Sequence, residues 1–186
     1  MTELSASARS TGEKKRRLFF ALWPSDAQQH TIETVMRPRV ESSRGRAIPA
    51  RNLHVTLAFL GSVPASRFEA VVASADAVRA TPFDIAFDQL EIWARSHVLC
   101  LTTSRVPAEL ARLEERLRFN LLSEQFEIRQ EEYRPHVTLA RDVKRHNHRE
   151  AIEPIGWHVS DFVLVHSRSG PSGSEYEVIR RWPLSS

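Results

Sequence analysis

A chain of 186 residues, 41% hydrophobic and 26% charged, has room for one domain or for two small lobes sharing a core. It holds no run near the ~20 apolar residues of a membrane helix, no apolar secretory region at its start, and one cysteine, Cys100, which excludes an internal disulfide; a cytoplasmic monomer away from membranes is expected. The formal charge of +3 resides in residues 1–17, where Arg9, Lys14, Lys15, Arg16 and Arg17 outnumber Glu3 and Glu13, so the remaining body is neutral and any grip on phosphate must come from local placement of charge.

Residues 1–16 are rich in Ser, Thr and Ala, with a basic end and no apolar periodicity, and read as a disordered tail. Order is expected from Leu18. Leu18–Trp23 is an aromatic, apolar run closed by Pro24, which predicts a buried strand, and Ser25 or Asp26 can cap a helix reaching about Val40. A loop with Gly45 and Pro49 leads to a strand over Leu53–Leu60, stopped by Gly61. Phe68, Val71, Val72, Ala75 and Val78 share one face of a helix over Ala65–Arg79. Strands follow at Phe83–Trp93 and Val98–Thr103. Pro107 then opens a helix striped by Leu110, Leu113, Leu117 and Leu121. Pro135–Arg141 predicts a strand, Lys144–Glu150 a loop, and Trp157–Ser167 and Glu175–Trp182 a final hairpin turning at Gly170–Gly173. Strands outnumber helices, which predicts an α+β architecture of mainly antiparallel sheet.

The strongest feature is a repeat. Leu53-His54-Val55-Thr56-Leu57-Ala58-Phe59 and Pro135-His136-Val137-Thr138-Leu139-Ala140-Arg141 share five consecutive residues, and the two histidines stand nearly half the chain apart. Side chains alternate across a strand, so His54/Thr56 and His136/Thr138 each share a face while Val55/Leu57 and Val137/Leu139 point into core. Two such faces meeting across a cleft make a coherent phosphodiester site. Histidine can act as base or acid near neutral pH, and threonine hydroxyls can donate to the non-bridging oxygens, where charge builds.

At these residues the chain resembles the two-histidine (2H) phosphoesterase superfamily, and within it the bacterial RNA 2′,3′-cyclic phosphodiesterases, also called 2′-5′ RNA ligases. The likeness extends through Arg17–Leu22, Asn52–Gly61, Pro135–Asp142 and Arg181-Trp182, and covers roughly residues 17–183. It implies a single domain over 17–186, bilobal, with two pseudo-symmetric lobes of mainly antiparallel sheet and flanking helices around a central cleft. It implies hydrolysis of a terminal 2′,3′-cyclic phosphate on RNA to a 2′-phosphomonoester. In that scheme His54 donates a proton to the departing O3′, His136 accepts one from water, and Thr56 and Thr138 bind the phosphate. Arg141 ends the second motif, where relatives place an arginine near the nucleotide; alternation sets it opposite His136 unless the strand ends or twists there. Phe20 is a candidate for stacking a base, against a plain core role, and Tyr133 and Trp93 are weaker candidates.

Two other readings compete. His146-x-His148 raises a metal-dependent hydrolase, but Lys144, Arg145 and Arg149 repel a cation and threonine is a poor zinc ligand, so neither metal nor other cofactor is expected. A non-catalytic RNA- or nucleotide-binding module could use the same groove, although binding alone needs no acid–base pair. Joining of RNA ends through a 2′-5′ bond is the same chemistry in reverse. The expected partner is an RNA with a cyclic-phosphate end, with free nucleotides as further candidates.

Overall fold

The computed structural model describes residues 13–128, 131–170 and 173–185. Nine strands and three helices follow in chain order: β1 (Lys15–Leu22), α1 (Asp26–Ser43), β2 (Arg46–Ala47), β3 (Val55–Pro64), α2 (Phe68–Asp76), β4 (Phe83–Trp93), β5 (Val98–Thr102), α3 (Ala108–Ser123), β6 (His136–Arg141), β7 (His148–Val159), β8 (Asp161–Gly170) and β9 (Gly173–Pro183). The fold is α+β, and every strand pairing is antiparallel.

Eight strands pair in the order β7-β4-β5-β6-β3-β1-β8-β9, with the short β2 added to β6. The middle of that order is its weakest point. β3 and β6 meet through the single register pair Val55↔Val137, so the sheet divides into two four-stranded halves, β3-β1-β8-β9 and β6-β5-β4-β7. Each half contains a strand–helix–strand unit, β1-α1-β3 in one and β5-α3-β6 in the other. The repeat spacing of the two histidines also separates the first residues of the two helices, Asp26 and Ala108. The sequence repeat is therefore a structural repeat, which gives the fold its two lobes.

Both units carry a β-bulge at the same place. Phe20 pairs with Ala58 and Ala21 with Thr56, leaving Leu57 as an extra residue; Leu99 pairs with Ala140 and Cys100 with Thr138, leaving Leu139. A bulge resets the alternation of side chains. After it, Ala58 and Ala140 stay buried with Leu57 and Leu139, and the next residues, Phe59 and Arg141, return to the His/Thr face.

The helices and the sheet enclose one large core. Leu110, Leu113, Leu117 and Leu121 of α3 are wholly buried, as the stripe predicts, and Ile32 and Met36 do the same for α1. Ser25 caps α1 by accepting from the Gln28 backbone N–H, and the helix ends at Arg44 in left-handed conformation. Gly45 follows where a Cβ would sit 2.6 Å from Val143 and 2.7 Å from the Arg141 carbonyl; only glycine fits this close to β6.

Four sequence expectations need correction. β1 begins at Lys15 rather than Leu18, because β3 does not stop at Gly61: that residue takes a left-handed φ of 68° beside a second bulge, and β3 runs on to Pro64, opposite Lys15. Residues 13–16 therefore leave the expected tail, and residues 1–12 lie outside those described. The helix expected over Ala65–Arg79 is a turn of 3₁₀ helix followed by the shorter α2. The expected strand Trp157–Ser167 is two strands, and β7 extends back to His148 through the predicted loop. Pro154 and Gly156 hid it; β7 borders only β4, and an edge strand tolerates a proline. The buried strand expected from Leu18 is found: β1 is a central strand with both faces covered, so Leu18–Leu22 are all buried and carry no alternation to read.

Candidate active site

Each histidine sits at the entrance to its strand, and both are held the same way. His54 Nδ1 lies 2.7 Å from the Asn52 carbonyl, and His136 Nδ1 lies 2.7 Å from the Arg134 carbonyl. A carbonyl only accepts, so each Nδ1 carries the donating hydrogen and each Nε2 is left with its lone pair free in the neutral ring. The two supports are themselves anchored. Asn52 donates from Nδ2 to the Ser174 carbonyl of β9 at 3.0 Å, and Arg134 donates to the Glu91 carboxylate of β4 at 2.9 Å.

Two pockets flank the line between the motifs. The first is walled by His136 and Thr56 together with Phe59, Trp93, Arg134 and Arg17. The second is walled by His54 and Thr138 together with Asn52, Arg141, Arg51 and Tyr176. Each pocket thus takes its histidine from one motif and its threonine from the other. The cleft exists only where the halves meet.

The surroundings of the two rings differ. His54 stacks nearly parallel on Trp23, with centroids 5.5 Å apart, and meets Phe19 at 5.0 Å and the edge of Tyr176 at 5.4 Å. Burial in this aromatic box, opposed by the Asn52 carbonyl and reinforced by the charges of His136 and Arg141, pushes its pKa down to about 4. His136 touches one aromatic, Trp93, at 4.6 Å. Burial lowers its pKa too, and Arg134 and Arg141 add to this, while the Asn52-like carbonyl of Arg134 and the nearby Glu91 act to raise it.

Glu91 organises the His136 side. Burial would raise its carboxyl pKa, but hydrogen bonds from Trp93 Nε1 (2.6 Å) and Thr102 Oγ1 (2.9 Å) and the Arg134 guanidinium outweigh that and hold it below the usual range. The Arg134 guanidinium lies over the Trp93 ring at 4.7 Å, so one carboxylate fixes both a cation and an indole beside the imidazole.

The predicted residues can now be placed. His54, Thr56, His136 and Thr138 come together, and the bulge at Leu139 brings Arg141 into the same cleft, close enough for its charge to act on both rings. Phe20 does not reach it. That ring is wholly buried against Phe162 and Trp182, and its neighbour Phe19 faces His54 instead. Trp93 lies at the site, while Tyr133 borders the first pocket with its hydroxyl buried and unpaired. Sequence reading missed Phe59, Trp23, Tyr176 and Glu91. Only Phe59 left a trace, as the repeat counterpart of Arg141. His146 lies in the loop before β7 and His148 begins that strand; among the described residues no three His, Cys, Asp or Glu side chains converge as metal ligands.

The 2′-5′ RNA ligase superfamily pattern matches residues 23–171, spanning both motifs. The chain belongs to this superfamily. A relative from Escherichia coli K12 named RNA 2′,3′-cyclic phosphodiesterase is 30% identical over 175 residues, which span 91% of this chain and 97% of the relative. One of the same name from Archaeoglobus fulgidus is 27% identical, spanning 88% and 98% of the two chains. Among solved structures, E. coli LigT complexed with 3′-AMP matches with a TM-score of 0.84 at 29% identity, covering 93% of this chain and all of that one. Membership accounts for the α+β fold. As to location, no described helix is long and apolar enough to cross a membrane.

Proposed function

We propose that this chain opens the terminal 2′,3′-cyclic phosphate of RNA to a 2′-phosphomonoester without a metal. The reading is carried by one observation: two imidazoles with free Nε2 atoms line two pockets at the junction of the halves, each pocket shared with the threonine of the opposite motif. The names of the relatives and the 3′-AMP bound to E. coli LigT support it.

In the proposed step His136 Nε2 takes a proton from water as its oxygen bonds to phosphorus. The P–O3′ bond breaks, and His54 Nε2–H delivers its proton to O3′. Thr56 and Thr138 donate to the non-bridging oxygens, and Arg141 adds positive charge beside them. Burial leaves His54 neutral in the empty cleft, so the acid must be made on binding. The phosphate anion does this, because an opposite charge at a desolvated imidazole restores its basicity. Substrate and proton therefore bind together.

The roles are tested with two substrates. His54→Ala should nearly abolish opening of a cyclic phosphate yet retain cleavage of a p-nitrophenyl phosphodiester, whose leaving group needs no proton. His136→Ala should lose both. The opposite pattern exchanges the roles, and wild-type rates for either variant on the cyclic phosphate sink the proposal. EDTA should leave the rate unchanged. In 2′-5′ joining a 5′-hydroxyl takes the place of the water beside His136, in the first pocket.

A further inference from the structure

The rim of the cleft beside His136 continues onto a basic surface that the proposed chemistry does not use. Trp93 and Arg134 wall the first pocket and also a neighbouring shallow groove containing Arg95, Arg149 and His148. That groove shares His148, Asn147 and Ile92 with a further one lined by Lys144, Arg145, His146 and His97. Five formal cations, Arg95, Arg134, Lys144, Arg145 and Arg149, thus stand along one path against two carboxylates, Glu91, which pairs with Arg134 and Arg149, and Glu150, 3.5 Å from His148. The body outside residues 1–17 is neutral overall, so this excess of cations over carboxylates is a concentration of charge rather than an average surface.

The path is built rather than floppy. The Ala94 N–H donates to Asn147 Oδ1 at 2.8 Å and the Val143 N–H to the His97 carbonyl at 3.0 Å, tying the β4–β5 turn to the loop before β7. Arg145 is held by the Ser42 carbonyl at 2.9 Å and Arg149 by Gln89 at 3.1 Å. The opposite margin of the first pocket carries Glu114, Glu131 and Glu132, which repel a phosphate chain.

We propose that this path is a track for the RNA strand upstream of the reacting end, along which Arg95, Arg149, Lys144 and Arg145 take successive backbone phosphates. The inference rests on the function proposed above and adds that the protein prefers a polynucleotide end to a mononucleotide. The test compares the wild type with Arg95→Glu/Lys144→Glu on a nucleoside 2′,3′-cyclic monophosphate and on a ten-nucleotide RNA with the same end, at 50 and 200 mM salt. The double variant should lose roughly tenfold or more in kcat/KM on the oligomer and about 1.4 in the slope of log rate against log salt, at ~0.7 per single-strand phosphate contact. Its rate on the mononucleotide should stay within about twofold of wild type, which also reports an intact fold. Equal oligomer rates for the two proteins overturn the track. So does loss of the oligomer preference in Arg51→Glu alone, which would send the strand out through the second pocket. If the wild type turns over neither substrate, the proposed function fails; anisotropy binding of the labelled oligomer to both proteins then still decides whether the track exists.

Discussion

The two halves of the cleft present the same backbone in different solvents. Strand, helix, bulge and Nδ1-to-carbonyl bond repeat, yet His54 lies in a box of Phe19, Trp23 and Tyr176 while His136 lies beside the charged set of Glu91 and Arg134. Backbone geometry fixes where each imidazole points and which nitrogen is free. The lining decides what a proton costs there. A duplicated motif thus becomes an unequal pair, which acid–base chemistry requires.

The largest way to break this comparison is to remove either imidazole. His54→Ala and His136→Ala should each lower kcat for cyclic-phosphate opening by about 10²–10⁴, with unchanged far-UV circular dichroism. A loss in one variant only would mean that a single half does the chemistry.

Next comes the support on the charged side. Glu91→Gln weakens the hold on Arg134 and Trp93 and leaves imperfectly matched buried donors, at a cost of about 1–3 kcal/mol in a denaturant titration. It also removes a charge that raises the His136 pKa, so the limb of the pH–rate profile assigned to His136 should move to lower pH. An unmoved limb with the same stability loss would reduce Glu91 to a purely structural part. The matching change in the other half, Asn52→Ala, deletes one neutral hydrogen bond and should cost about 1 kcal/mol with no movement of either limb.

The aromatic box makes its own prediction. Because the folded pKa of His54 is depressed to about 4, the unfolded chain binds more protons as pH falls below the ordinary value of 6.5, and stability drops across that window. The loss should reach on the order of 3 kcal/mol at pH 4. His54→Gln should flatten the urea midpoint between pH 6.5 and 4; an identical slope in the two proteins would show that the box does not disfavour the charged ring. The smallest effect is calorimetric. Binding of a 2′-nucleotide product at pH 7 should take up close to one proton, seen as a dependence of the measured heat on buffer ionisation, and His54→Gln should abolish it.

Much of this was legible in the residues. The His-x-Thr repeat predicted both strands, their inward Val/Leu faces and the shared cleft, and the leucines of α3 predicted its buried stripe. Parity could not be read where it mattered. Two-sided burial of β1 made Phe19 and Phe20 indistinguishable, and only the observed register tells which ring meets His54. The bulges at Leu57 and Leu139 each move the following residues by one, so simple alternation misplaced Arg141 and concealed Phe59. Glu91 joins Arg134 across 43 positions of chain, a partnership that strand register alone creates. β7 carried breakers that an edge position excuses.

Val55 and Val137, the one rung shared by the two halves of the sheet, each stand next to a histidine in the chain. The core runs unbroken across that rung, with α1 packed against β6 and α3 against β3, so side-chain packing rather than the strand ladder holds the two halves, and with them the two imidazoles, in place.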